Sequence, residues 1–331
     1  MIIVIIWEAE DMTKLPPATL HVAFHAGAVS ANTRAVNAQL AATLANLPPR
    51  DDLADLRSAF AAGLAGLPAA PQSPYARTIE IPGPGGAISL RILTPDVVHG
   101  VFLHIHGGGW MVGTNAMWDD QLAQFGREAG LACVSVDYRL APEHVYPAAI
   151  EDCVAAAEWL ITHAAAEFGA TWLAIGGESA GAHLSAATLL RLRDMGKGDA
   201  FRAASLMFGC YDLSLTPSVR RAAGTPFVDL AGMEAFTTTF LAGADPRDPG
   251  VSPLYADLRT LPPALFSVGS ADPLIDDSLF MSMRWLAAGN DAELAVYPGG
   301  VHGFNALGGE IADAANLHAC AFLRLQQERD A

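Results

Sequence analysis

Residues 172–183, Trp-Leu-Ala-Ile-Gly-Gly-Glu-Ser-Ala-Gly-Ala-His, decide how this chain is read. The apolar run from Trp172 to Gly176 has the length and composition of a buried strand, and the Ala-rich segment over 180–195 has the period of a helix. Between them stands Gly177-Glu178-Ser179-Ala180-Gly181. A strand that turns straight into a helix needs residues without bulk on both flanks. Such a turn lifts the serine hydroxyl above the sheet edge, at the positive end of the helix. The five letters alone are a weak signal, and their place between strand and helix makes them a strong one.

Outward from this turn the same alternation repeats. Buried-type strands are predicted at Val101–Ile105, Leu131–Asp137, Ala203–Phe208, Ala264–Val268 and Glu293–Tyr297, with helical periods near 117–130, 147–168, 277–289 and 310–327. Thr78–Ile81 and Ala87–Leu93, joined by PGPGG, read as a strand pair. Strands that alternate with helices of this length are joined by crossovers. The expected fold class is therefore α/β, a three-layer sandwich around a mostly parallel, eight-stranded sheet.

Two regions break the rhythm. Residues 15–70 are rich in Ala and Leu at helical spacing and are interrupted by Pro16, Pro17, Pro48 and Pro49, which predicts short helices. Between Phe208 and Ala264 lie about fifty residues, far more than a strand-to-helix connection requires, so an inserted helical segment is expected at about 210–255. The two together form an expected cap over the carboxyl ends of the strands, where open sheets of this kind hold their ligands. The division drawn is 1–75 as N-terminal cap segment and 76–331 as catalytic domain with the cap insertion.

A serine hydroxyl is a poor nucleophile near neutral pH. It needs a histidine to take its proton and a carboxylate to orient that histidine. When Ser179 sits on such a turn, the acid and the histidine follow it on the loops after late strands. Asp272 follows ALFSVG and His302 follows ELAVYPGG. Asp276 and Asp277 compete with Asp272, but they fall where a helix begins and read as its N-terminal cap. The second signal is His106-Gly107-Gly108-Gly109-Trp110 after the strand VFLHI. Acyl transfer develops negative charge on the carbonyl oxygen, and backbone N–H groups of a glycine loop can meet it. The expected oxyanion hole consists of the N–H groups of Gly108, Gly109 and Ala180. No Lys-Ser or Lys-Thr follows the loop, which excludes a P-loop.

Together HGGGW at 106–110, DYRLAPEHVYPAAIED at 137–152, GESAG at 177–181, DPLIDD at 272–277 and HGF at 302–304 resemble, in order, the hormone-sensitive-lipase-like (family IV) carboxylesterases. The resemblance runs from about residue 80 to the C-terminus. It implies an α/β-hydrolase core, a helical cap, no cofactor, and hydrolysis of short-acyl esters by the triad Ser179, Asp272 and His302. Glu178 departs from the Asp that one large subgroup carries there, and the N-terminal region matches nothing specific. Tyr138, Arg139, Glu143 and Asp152 fall in a segment that braces the site in the family, and an Arg and acid network there reads as structural. Amides, carbamates and thioesters stay open as substrates of the same triad. From another class, a ligand-binding protein on the same scaffold is the rival, although relatives of that kind have lost the histidine. A gated peptidase is opposed by the lack of room for a large gating domain.

Composition narrows the partners. With 35 acidic and 19 basic side chains the net charge is −16, which repels nucleic acid and anionic lipid surfaces. The opening MIIVIIW is too short to span a bilayer and lacks a basic flank and a cleavage site; Met12 offers an alternative start. Cys133, Cys153, Cys210 and Cys320 are widely spaced and read as reduced core residues. The expected location is the cytoplasm, with a small-molecule ester as partner and a homodimer as an open option. No metal is expected: His21 and His25 lie four apart without a third ligand, and His104 with His106 does not make a site. Phe24, Trp118, Phe208, Phe227, Phe236 and Phe240 can serve either as walls of an acyl pocket or as core of the cap.

Overall fold

Strands β4 (Gly100–Ile105), β7 (Ala203–Met207) and β8 (Ala264–Gly269) are buried at every residue, which requires cover on both faces of their sheet. The computed structural model describes residues 4–5, 20–48, 52–68 and 71–330. The start at Met12, most of MIIVIIW, and the breaks at Pro16, Pro17 and Pro49 lie outside the described residues, as does the His21 side chain. The remaining strands are β1 (Val4–Ile5), β2 (Arg77–Gly83), β3 (Gly86–Leu93), β5 (Leu131–Asp137), β6 (Leu173–Glu178) and β9 (Ala292–Tyr297). They lie in the order β1-β9-β8-β7-β6-β4-β5-β3-β2. The eight expected strands are all present, and the two-residue β1 adds a ninth, parallel to β9 through Val4↔Leu294. Among the described residues, only the pairings of β3 with β2 and β5 are antiparallel.

The helices pack in two groups. On one side α3 (Asp119–Ala129) meets α9 (Glu310–Asp330), and on the other α4 (Ala148–Phe168) meets α5 (Ala180–Asp194). α3 shows why its sequence folds this way: Leu122, Phe125, Gly126 and Ala129 recur at helical spacing and are the residues it buries. Phe125 stacks on Phe102 of β4 at 4.9 Å. Its first turn carries Asp119, fully buried and bound in a fork by Arg91 of β3 at 2.7 and 2.5 Å. The same carboxylate accepts the N–H of Ser73, so one ion pair fixes both the helix and the chain's entry into the sheet.

The N-terminal region forms α1 (Ala31–Ala45) and α2 (Leu53–Ala61), capped by Ser30 and Asp52, whose side chains accept the N–H groups of Thr33 and Asp55. Between β7 and β8 the chain forms α6 (Pro217–Arg220) and α7 (Leu230–Leu241), then a 3-10 turn at Pro253–Tyr255 before α8 (Ile275–Ala287) follows β8. All four cysteines are buried and unpaired. Burial pushes the Cys320 thiol up to about 12 and raises the other three well above the ordinary thiol range. No helix among the described residues is long and apolar enough to cross a membrane.

The helix-cap reading of Asp276 and Asp277 is corrected. α8 starts at Ile275 after Leu274, and both aspartates lie in its first turn. Asp277 is fully buried and accepts the N–H groups of Tyr211 and Asp212 and the hydroxyl of Thr216. Asp276 accepts the N–H of Ser218. Their work is across space, tying the start of the insertion to α8.

Candidate active site

Ser179 follows β6 and caps the N-terminus of α5 with φ +56° and ψ −119°. A residue with a side chain in this region is strained by about 1–3 kcal/mol. The strain is held by close packing at its neighbours. A Cβ on Gly177 or on Gly181 would lie 1.9 Å from the Ile105 carbonyl oxygen, so only glycine lets the turn approach β4. Gly181→Ala is expected to cost about 3 kcal/mol or more, because backbone meets backbone and neither can yield. Thermal unfolding of the variant measures this, and an unchanged melting temperature would contradict the packing described.

The serine hydroxyl lies 2.9 Å from His302 Nε2, and His302 Nδ1 lies 2.9 Å from Asp272 Oδ2. His302 is buried, with the edge of Phe208 4.8 Å away between ring centres. The other carboxylate oxygen of Asp272 accepts the Leu274 N–H at 2.8 Å, which fixes the carboxylate plane. Of the three aspartates in DPLIDD, Asp272 alone reaches the histidine. The strands that carry them, β6, β8 and β9, are parallel across the sheet, so their following loops emerge at one edge.

The glycine loop lies beside them. Gly107, Gly108 and Gly109 line the same cavity as Ser179 and His302. Gly108 has φ +119°, and a Cβ there would stand 2.2 Å from the Val112 carbonyl oxygen. Among the described residues no protein acceptor takes the N–H of Gly108, Gly109 or Ala180, which leaves three donors unspent next to the serine. The loop is held from below. Tyr138 donates its hydroxyl to the His106 carbonyl at 2.9 Å and stacks on the His106 ring at 4.3 Å.

Several bracing contacts were not legible from the motifs. Trp110 Nε1 donates to His183 Nδ1 at 3.1 Å, and His183 Nε2 meets the Val251 carbonyl at 2.7 Å. These partners require a neutral ring with its proton on Nε2. Burial agrees, pushing His183 down to about 4. His183 stands one turn after Ser179, the spacing that would have marked it. Phe240 is wholly buried and stacks on Trp110 at 4.7 Å, so it is core. Phe24 is exposed. Trp118, Phe208, Phe227 and Phe236 do line the cavity. Arg57 of α2 donates to the Met111 and Ala141 carbonyls and forms a two-armed pair with Glu143, which draws the N-terminal helices onto the glycine loop. Asp152 binds Arg139 in a fork at 2.8 and 2.9 Å, and that network lies outside the cavity lining.

The cavity holds about 310 Å³. Leu44, Leu56, Phe60 and Leu67 from the N-terminal region face Phe227, Met233 and Phe236 from the insertion across it. Among the described residues no three His, Cys, Asp or Glu side chains gather as a metal site.

A family model described as the alpha/beta hydrolase fold matches residues 102–306. Esterase LipI of Mycobacterium tuberculosis is 35% identical over 284 residues, covering 82% of this chain and 88% of the relative. Carboxylesterase NlhH of the same organism is 37% identical over 228 residues, covering 66% of this chain and 71% of the relative. Among solved structures, an esterase from the bacterial hormone-sensitive lipase family has a TM-score of 0.79 at 30% identity, covering 90% of this chain and 99% of that one. With the strand order, the strained serine turn and the histidine it meets, these similarities establish that the chain belongs to the α/β-hydrolase family, among the hormone-sensitive-lipase-like carboxylesterases.

Proposed function

We propose that this protein is a serine carboxylesterase acting on short-acyl esters, with Ser179, His302 and Asp272 as its triad and the N–H groups of Gly108, Gly109 and Ala180 as its oxyanion hole. The observation that carries the reading is the relay of two 2.9 Å contacts, Asp272 to His302 to Ser179, opening onto an apolar cavity. LipI, NlhH and the Salmonella acetyl esterase, 32% identical over 69% of this chain, are named for the same chemistry.

Ser179 Oγ attacks the acyl carbon as His302 Nε2 takes its proton. Asp272 accepts the Nδ1–H, which keeps Nε2 free as the base and favours the imidazolium once formed. The tetrahedral oxygen develops its charge beside three N–H groups that are already in place, so no reorganisation is needed at that moment. Collapse breaks the ester C–O bond, and His302 returns the proton to the departing alcohol. Water, deprotonated by the same histidine, then releases the acid and restores the serine.

The N-terminal helices and the insertion act in this reading as a cap that excludes water and limits the acyl chain. A cavity of about 310 Å³ suits a small ester and not a long-chain lipid. The cytoplasm is the proposed location, supported by four buried thiols that stay unpaired. The test is hydrolysis of p-nitrophenyl esters from acetate to palmitate, with intact-mass detection of an organophosphate adduct. Turnover falling steeply beyond short chains, with one adduct on Ser179, is expected. No turnover and no adduct would favour the ligand-binding alternative.

A further inference from the structure

Beyond Ser179 and His302, Glu178 is the one acidic or basic residue among the described residues that line the cavity. Its Oε2 lies 3.0 Å from His104 Nε2, and His104 Nδ1 lies 2.9 Å from the hydroxyl of buried Ser135. This chain of contacts holds the carboxylate from below. Oε1 receives no donor from the described residues and is not among the fully buried atoms, which leaves it free to accept one. Among the described residues no Lys or Arg lines the cavity to neutralise it.

Five aromatic residues, Phe60, Trp118, Phe208, Phe227 and Phe236, line the same cavity as Glu178, among aliphatic ones. Trp118 also approaches the edge of His104, 6.1 Å between ring centres, which puts it next to the residue that orients Glu178. Aromatic faces attract cations through their quadrupoles, and a carboxylate attracts them through charge. The net charge of −16 raises the local concentration of cations in the same direction. Plain alkyl esters use none of these three features.

We propose that Glu178 is a specificity-determining residue and that the cavity prefers esters bearing an ammonium group, on the acyl or the alcohol side, over their uncharged isosteres. The proposal rests on the esterase reading above for its kinetic test, while the binding part does not depend on it. An ammonium a few bonds from the scissile carbonyl would meet Oε1 and an aromatic face together. His104 would keep the carboxylate from turning away.

Two matched pairs test it. On the acyl side, the p-nitrophenyl ester of β-alanine is compared with p-nitrophenyl butyrate; on the alcohol side, acetylcholine is compared with 3,3-dimethylbutyl acetate. The charged member is expected to have the higher kcat/KM in at least one pair, by about tenfold, and Glu178→Gln is expected to bring that ratio close to one. The ratio is read within each protein, so a general change in activity does not disturb it. Calorimetry on Ser179→Ala, with choline against 3,3-dimethyl-1-butanol, is expected to show tighter binding of choline, and the difference is expected to vanish when Glu178→Gln is added. A ratio at or below one in both pairs, a preference that survives Glu178→Gln, or equal binding of the two alcohols would overturn the proposal. Absence of all turnover with choline still bound selectively would remove the esterase reading and leave the ammonium site standing.

Discussion

Replacing Ser179 by Ala is expected to lower kcat on p-nitrophenyl butyrate by at least about 10⁴-fold. The size follows from what the hydroxyl does and from what no neighbour can do in its place. His302 Nε2 has the serine as its hydrogen-bond partner 2.9 Å away. Without it the histidine is left to activate water, which lacks the serine's fixed place on the turn. The cavity and the three N–H donors persist in the variant, so some catalysis over water is expected to remain. Stability is expected to change little, because Ala at φ +56° carries much the same backbone strain and loses one partly buried hydrogen bond. A kcat within tenfold of the parent, measured on protein shown by mass to be free of parent enzyme, would place the nucleophile elsewhere.

The parts of this site that were legible in the sequence are those whose physical cause is local. A strand that becomes a helix within two residues must use Gly177 and Gly181, and the reason is visible in the structure as the Ile105 carbonyl that a Cβ would strike. Asp272 and His302 were legible because chain order around a parallel sheet limits which loops reach Ser179. The strand order was not legible: β4 lies between β5 and β6, and nothing in the local pattern of VFLHI says so. Contacts made by single side chains across long separations were equally silent. Arg57 reads as a solvated helix charge until its pair with Glu143 and the Met111 carbonyl is seen. His104 shows an alternating strand position and no sign of its contact with Glu178 on the serine turn. The aromatic residues divided for the same reason: Phe236 and Phe240 stand on one helix, yet the first lines the cavity and the second is stacked beneath Trp110.

Asp277 shows how far such a contact can carry the fold. Its Oδ1 accepts the N–H groups of Tyr211 at 2.7 Å and Asp212 at 2.9 Å, and its Oδ2 accepts the Thr216 hydroxyl at 2.7 Å. Asp277→Ala would strand three donors in a buried place, where each unmet group costs about 1–3 kcal/mol, so a loss of at least about 3 kcal/mol in unfolding free energy is expected. Because α8 starts just after the Asp272–Leu274 contact, activity is expected to fall as well. Asp277→Asn behaves differently, since its amide oxygen can still accept both N–H groups. It also removes a titration. Burial pushes the Asp277 carboxyl up to about 7 from its ordinary 3.8, outweighing the three donors that pull it down, with Asp212 adding to the rise. A carboxyl raised in this way contributes stability that is fully present below about pH 4 and is lost as pH rises through about 7. The Asn variant is therefore expected to gain on the parent protein between pH 5 and pH 8, by up to about 1 kcal/mol per pH unit. Urea unfolding of parent, Asn and Ala proteins at pH 5, 6.5 and 8 reads both effects. An Ala variant as stable as the parent would show that the three donors find other partners, and an Asn-to-parent difference that does not move with pH would show that the carboxyl keeps one protonation state throughout.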